Sequence, residues 1–303
     1  MTLPRPAHPF VTLILAITGA AVLLPARPAF ESAQTAKPAP TRQDPARTTY
    51  LGFDRNEYPG DASLAALRST FSYAGFWLNN PPGTNQNTWS GKRGPLLSHG
   101  FGFLVLFNGR LDAQLKRVPD ASVLGRSDGA AAVESARREG FTAGTVIFLD
   151  IEEGGRMLAE QKNYVYAWAD TVNASGFRAG AYCSGIPVAE GEDAGLVTAQ
   201  DLYKNAGRRN IVFWVANDAC PPSPGCAFPR HPPAPSQSGV PFAEIWQYAQ
   251  SPRRSGIAQG CGRTYSADGN CYPPPSQLTP LPFLDIDVAL EPDPSRGGRS
   301  DIQ

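Results

Sequence analysis

Eight short apolar runs, each giving way to polar residues, limit what this chain can fold into. They are Tyr50 to Phe53, Tyr73 to Leu78, Phe101 to Phe107, Val146 to Leu149, Arg178 to Cys183, Ile211 to Ala216, Ala243 to Tyr248 and Phe283 to Leu290. Rich in β-branched and aromatic residues and too short for ordinary helices, they read as strands, several of them buried on both faces. Helix-like stretches stand between several of them, at Ala62 to Thr70, Gly129 to Glu139, Ala159 to Ala174 and Ala199 to Ala206. Alternation of this kind implies a parallel sheet with helices outside. The expected fold class is therefore α/β, a single (β/α)8 TIM-like barrel, which usually takes about 250 residues. Polar residues collect after the apolar runs, at the predicted carboxyl ends of the strands, where barrels build their active sites.

The central run carries the chemistry. Gly144 to Gly155 (GTVIFLDIEEGG) ends in Asp150, Glu152 and Glu153 before a glycine pair releases the chain into a loop. Residues i and i+2 of a strand share a face, so Asp150 and Glu152 project together, with Cα atoms roughly 6.5 Å apart. Two charges at the end of an apolar strand are costly for folding alone. Burial beside a like charge also raises a carboxyl pKa toward neutrality, which is what a general acid needs. The plainer alternative is a strand end whose acids are simply solvated, but that does not call for two acids in phase.

Composition narrows the classes. The 27 basic and 27 acidic residues balance, and no basic stripe is present, so nucleic acid and anionic membrane surfaces are poor partners. Histidine is scarce: only His8, His99 and His231 exist. A Ser-His-Asp or Cys-His triad is hard to build from these, and a His-rich zinc site cannot be assembled. No metal and no cofactor is expected. Acid–base chemistry falls to carboxyls, which points an enzyme toward glycoside hydrolysis.

Ahead of the barrel, Phe10 to Leu24 is an apolar block followed by small residues around Ala26 and Ala29, as in a secretory signal peptide. The expected division is a signal peptide over residues 1–29, a Pro/Ala-rich linker over 30–48, the barrel over 49–292 and a disordered tail over 293–303. The block is short for a membrane span, so no stable anchor is expected after cleavage. In an exported chain the five cysteines suggest two disulfides, Cys220 with Cys226 and Cys261 with Cys271, each stapling a turn-rich loop. Cys183 is left over within a strand, either as a small buried hydrophobe or as a nucleophile that would need a His base.

The pieces GFD, FLDIE, GFRAGAYCSG, FWVAND, AEIWQYAQ and LDIDVA, in this order, are similar to the secreted muramidase family of barrel-fold lysozymes. They resemble more closely still a group of bacterial exported proteins known as the glycoside-hydrolase-like domain of unknown function. The likeness runs from about Leu51 to Leu290. It implies a barrel with an acidic pocket, in which the strand motif Asp-x-Glu falls on Asp150 and Glu152, and the first-strand and last-strand aspartates fall on Asp54 and Asp285. The chain departs from the muramidases at Asp54, Arg55, Asn56, where they carry Asp-x-Ser. It departs again at Leu106, Phe107, Asn108, Gly109, Arg110, where they carry a Tyr-His pair.

The expected catalytic set is Glu152 as general acid, Asp150 beside it, and Asp54 and Asp285 setting charge and hydrogen bonding. Asp287, in phase with Asp285, is the alternative for the last role. Tyr182 and Trp246 are expected to line a sugar pocket, with Trp214 left as core. Asn217 follows a strand end. Arg55 and Arg110 either pair with carboxylates or bind an anionic group on a ligand. The expected partner of a secreted, monomeric protein of the cell envelope is a polysaccharide or peptidoglycan glycan. The alternative is a catalytically inactive carbohydrate-binding barrel.

Overall fold

The structure, a computed structural model, describes residues 48–190, 193–218, 231–250 and 284–298. The expected signal peptide, nearly all of the linker, and Cys220, Cys226, Cys261 and Cys271 with their two disulfides lie outside these residues.

In chain order the strands are β1 (Tyr50–Asp54), β2 (Tyr73–Trp77), β3 (Gly102–Asn108), β4 (Val146–Asp150), β5 (Arg178–Ser184), β6 (Val188–Glu190), β7 (Asp193–Leu196), β8 (Ile211–Ala216), β9 (Ile245–Ala249) and β10 (Asp285–Ala289). The helices are α1 (Leu64–Arg68), α2 (Arg93–Ser98), α3 (Asp112–Leu115), α4 (Ala121–Arg138), α5 (Ala159–Ala174) and α6 (Thr198–Asn205). Every expected strand is present, and eight of the ten close a barrel in the order β1-β10-β9-β8-β5-β4-β3-β2. The other two, β6 and β7, form a separate hairpin between β5 and α6.

The expected all-parallel (β/α)8 arrangement needs correcting. β10 runs antiparallel to both of its neighbours, β1 and β9. A strand's buried pattern reads the same in either direction, so the sequence could not reveal this. The fold is a mixed α/β closed barrel with few helices, and no disulfide is seen among the described residues.

Inward-facing small residues make room for rings in the barrel. A Cβ on Gly52 would fall within the Tyr73 ring, and one on Gly180 within the Phe148 ring. A Cβ on Gly75 would lie 2.7 Å from the Asp54 Cβ, so this glycine lets the acid of β1 sit beside β2. Outside the barrel α4 and α5 pack together: Gly125 and Gly129 of α4 face the Tyr164 and Trp168 carbonyls of α5, so the helices approach closely. Cys183 faces away from Tyr182, as strand alternation requires. It is fully buried, and burial alone pushes its thiol up to about 12, which is a packing residue rather than a nucleophile.

The tail also departs from expectation. Residues 293–298 are ordered across the foot of the barrel, where the parallel strands begin. The Phe103 amide donates to Asp293 Oδ1 at 2.8 Å and the Val105 amide to Ser295 Oγ at 2.8 Å. The Val146 amide donates to the Ser295 carbonyl, and the Ser295 amide to the Phe103 carbonyl, both at 2.9 Å. The polar composition suggested disorder, but these residues are polar because they satisfy the exposed starts of β3 and β4. Among the described residues no helix is long and apolar enough to cross a membrane.

Candidate active site

At the carboxyl end of β4, Asp150 points into the barrel between Asn108 of β3 and Tyr182 of β5. The Gly109 amide donates to the Asp150 carbonyl at 3.2 Å, and a Cβ on Gly109 would overlap that oxygen, so the close approach requires glycine. Asp150 is 3% exposed and is pushed well above the ordinary carboxyl range, first by burial, then by the Glu152 charge and a hydrogen bond with the Glu152 carboxyl. As carboxylates the two groups are acceptors only, and both Asp150 oxygens then stand buried without a donor. Burial therefore favours the protonated form of Asp150. Glu152 stands at the exposed rim. Glu153, by contrast, is committed to the loop: it accepts from the Asp112 amide at 2.7 Å and from Gln161 Nε2 at 3.0 Å.

A second acid group comes from the antiparallel seam, which sets Asp54 opposite Asp285 and Gly52 opposite Asp287. Asp287 is fully buried, and its Oδ1 accepts from Trp214 Nε1 at 3.1 Å. Burial, then the Asp54 and Asp285 charges, raise it well above the usual range. Asp54 is raised to about 6, chiefly by burial, against hydrogen bonds from Gln247 and Asp287 that lower it. Burial thus favours the protonated form of Asp287 beside Asp54. The Tyr73 hydroxyl lies buried close by without a donor or acceptor partner.

Gln247 joins these groups, and the sequence reading gave it no role. Its amide oxygen accepts from the Tyr182 hydroxyl at 2.7 Å and from Gln250 Nε2 at 3.0 Å. Its amide nitrogen donates to Asp54 Oδ2 at 3.0 Å and reaches Asp285 Oδ2 at 3.5 Å. The available signal was its phase: between Trp246 and Tyr248, which share the outer face, a lone amide turns into the barrel. Gln247→Leu should strand the buried Tyr182 hydroxyl and Asp54, lowering stability by about 2 kcal/mol or more in a urea titration. An unchanged midpoint would show that water replaces the amide.

These residues line a cavity of about 230 Å³ at the mouth, bounded by Asp54, Asp150, Glu152, Tyr182, Gln247 and Asp285, with Trp77 and Trp214 in its walls. Trp214, expected as core, is 1% exposed and serves both purposes. A larger cavity of about 630 Å³ continues from Glu152 and Pro82 past Asn79, Asn108 and Arg110 to α4. Among the described residues Glu152 is thus the carboxyl common to both spaces.

Other expected site residues lie elsewhere. Trp246 points outward, donates to the Asn217 carbonyl at 2.7 Å and packs on Tyr248, so it does not line the cavity. Asn217 donates to the Ser238 carbonyl at 2.7 Å, joining the end of β8 to the next loop. Asp287 lies beneath the floor. Arg55 pairs with Glu57 at 3.0 Å. Arg110 forks onto buried Asp128 at 2.7 and 2.9 Å, while the Tyr164 hydroxyl donates to the same carboxylate, and Arg110 lines the larger cavity. Among the described residues no three His, Cys, Asp or Glu side chains are grouped to hold a metal ion.

Residues 87–220 match the Rv2525c-like, glycoside hydrolase-like domain. Over these residues the chain is similar to a glycoside hydrolase-like domain. The match takes in Asp150, Glu152 and Tyr182, whereas Asp54, Gln247 and Asp285 fall outside it. Among solved structures, an uncharacterized protein of B. stearothermophilus is 18% identical, with 79% of this chain and 95% of that one covered and a TM-score of 0.48. The Tat-secreted protein Rv2525c of Mycobacterium tuberculosis, in complex with HEPES, is 15% identical over 81% of this chain and 96% of its own, with a TM-score of 0.47. The spore cortex lytic enzyme SleM of Clostridium perfringens is 14% identical over 82% of this chain and 69% of its own, with a TM-score of 0.43. No curated protein sequence matches the chain.

Proposed function

We propose that this protein is an extracytoplasmic glycoside hydrolase that cleaves a cell-wall or extracellular polysaccharide by carboxyl acid–base catalysis. The observation that carries this reading is the pair at the end of β4: a buried Asp150, its carboxyl raised well above the ordinary range, beside an exposed Glu152 where two cavities meet. The glycoside hydrolase-like match over this strand supports it, as does the apolar segment Phe10 to Leu24 for export.

In the proposed mechanism a sugar ring fills the smaller cavity and the chain continues into the larger one. Sugar in the cavity brings the glycosidic oxygen to Glu152, and Asp150 supplies the proton that Glu152 delivers. Glu152 then protonates the leaving glycosidic oxygen, so both members of the pair end as carboxylates. Asp150 and Asp54 face the positive charge that develops at the anomeric carbon, or Asp150 orients a substrate N-acetyl group for attack there. Gln247 holds Asp54 and Asp285 through its amide nitrogen, and the Tyr182 hydroxyl, bonded to the Gln247 oxygen, holds the amide in its orientation.

The test is reducing-end release from peptidoglycan and from arabinose- and glucose-based polymers, comparing the mature protein with Glu152→Gln. Release that falls at least about 100-fold in the variant is the expected result. No release from any glycan, with binding that survives the substitution, would leave a sugar-binding barrel instead.

A further inference from the structure

The foot of the barrel, opposite the acid cluster, carries a second feature. A concavity of about 720 Å³ lies between the end of α5 and the starts of β5 and β8, walled by Asp170, Asn173, Phe177, Arg178, Arg208 and Arg209. Asp170 is the one carboxylate in this wall, and Arg209 occupies it with a fork of two 2.9 Å bonds. Arg209 is further fixed by lying 4.9 Å above the Tyr166 ring and donating to the Ala206 carbonyl. Behind the wall, Arg137 of α4 lies over the Phe177 ring at 5.8 Å and donates to the Ser175 carbonyl. Among the described residues the guanidiniums of Arg178 and Arg208 have no ion-pair or hydrogen-bond partner. Three arginines thus face one satisfied carboxylate among the described residues, in a chain whose total charge balances.

We propose that this concavity is a docking site for a phosphate-bearing polyanion of the cell envelope, separate from the acid cluster and independent of whether that cluster turns over glycan. The cations are all arginines, whose planar forks match phosphate oxygens in pairs and shed water more readily than lysine. Arg209, locked by Asp170, forms a rigid wall, and Arg178 and Arg208 supply the free donors. Asn173 is spent internally, donating to the Asn210 carbonyl and accepting from the Ala179 amide, so it shapes the wall rather than binding. Phe177, the wall's apolar residue, is 4% exposed and offers nothing to insert into lipid. Docking by the foot leaves the mouth with Glu152 free.

The test is calorimetric titration of the mature chain with long-chain inorganic polyphosphate, at low and at physiological salt. The double variant Arg178→Glu with Arg208→Glu should bind at least about tenfold more weakly. A charge-matched control, Arg117→Glu with Arg126→Glu, should bind as the parent does, and salt should weaken the parent's binding. Arg208→Gln, which removes only an exposed charge, should weaken binding in the same direction and serves if the double variant does not fold. Equal binding by the foot and control variants, or no binding by the parent, would overturn the proposal. So would binding to phosphatidylglycerol vesicles that polyphosphate does not displace, which would assign the patch to a membrane surface.

Discussion

Asp150→Asn is expected to abolish glycan release while making the protein more stable at neutral pH. The activity loss, about 100- to 10,000-fold, follows from removing the group that holds the proton for Glu152. The stability gain follows from linkage. In the unfolded chain this carboxyl ionises freely above about 4, whereas in the folded barrel burial and the Glu152 charge hold it protonated well above that value. The folded state then binds more protons than the unfolded state, so the parent loses stability as pH rises from about 4. An amide has the shape of the protonated acid and no charge to desolvate, so the variant escapes that loss. The gain should be near zero below pH 4 and reach about 1–2 kcal/mol at pH 7, as for other residues placed for chemistry rather than stability. Melting temperatures of parent and variant across this range provide the check. A variant less stable than the parent at pH 7 would mean that Asp150 is ionised and satisfied, and the proton assignment would fail.

The second large effect is expected from cutting the chain after Leu290. On composition alone the last residues look dispensable. In the barrel the cut would remove the acceptors of the Phe103, Val105 and Val146 amides and expose the starts of two central strands. Buried amides left without partners cost about 1–3 kcal/mol each, so the loss approaches the whole stability of an ordinary domain. The truncated protein should fail to give a cooperative unfolding transition. Ending instead after Gly298 should leave the transition in place. If the shorter protein melts like the parent, the foot is closed by something other than Asp293 and Ser295.

These two cases show what sequence reasoning can reach. Apolar runs and in-phase acids are local signals, so all eight barrel strands and the Asp150 and Glu152 pair could be read directly. The direction of β10 could not, because Asp285, Asp287 and their neighbours present the same alternation either way. The pairing of Asp54 with Asp285 and Asp287 depends on that direction. Gln247 was visible as the odd residue in an aromatic strand, but three of its four partners, Asp54, Tyr182 and Asp285, come from distant parts of the chain. Trp246 was misjudged because an aromatic at a strand end suits a sugar platform and an outer packing layer equally. The arginines of the foot come from positions 137, 178, 208 and 209, so no stretch of sequence looks basic.

The antiparallel seam has a consequence for when the barrel can form. Its first strand is made at the start of the domain and its partner β10 at the end, so β1 has one edge unsatisfied until the final residues are available. Contacts this distant in sequence are slow to find. The cost of desolvating Asp54, Asp285 and Asp287 also falls on this last step, when the strands bearing them are brought together. Closure should therefore be the slow event in refolding, and the one that mildly acidic solution speeds by neutralising the acids beforehand. A barrel that closes only when β10 joins β1 would stay open through export, which the proposed extracytoplasmic function calls for.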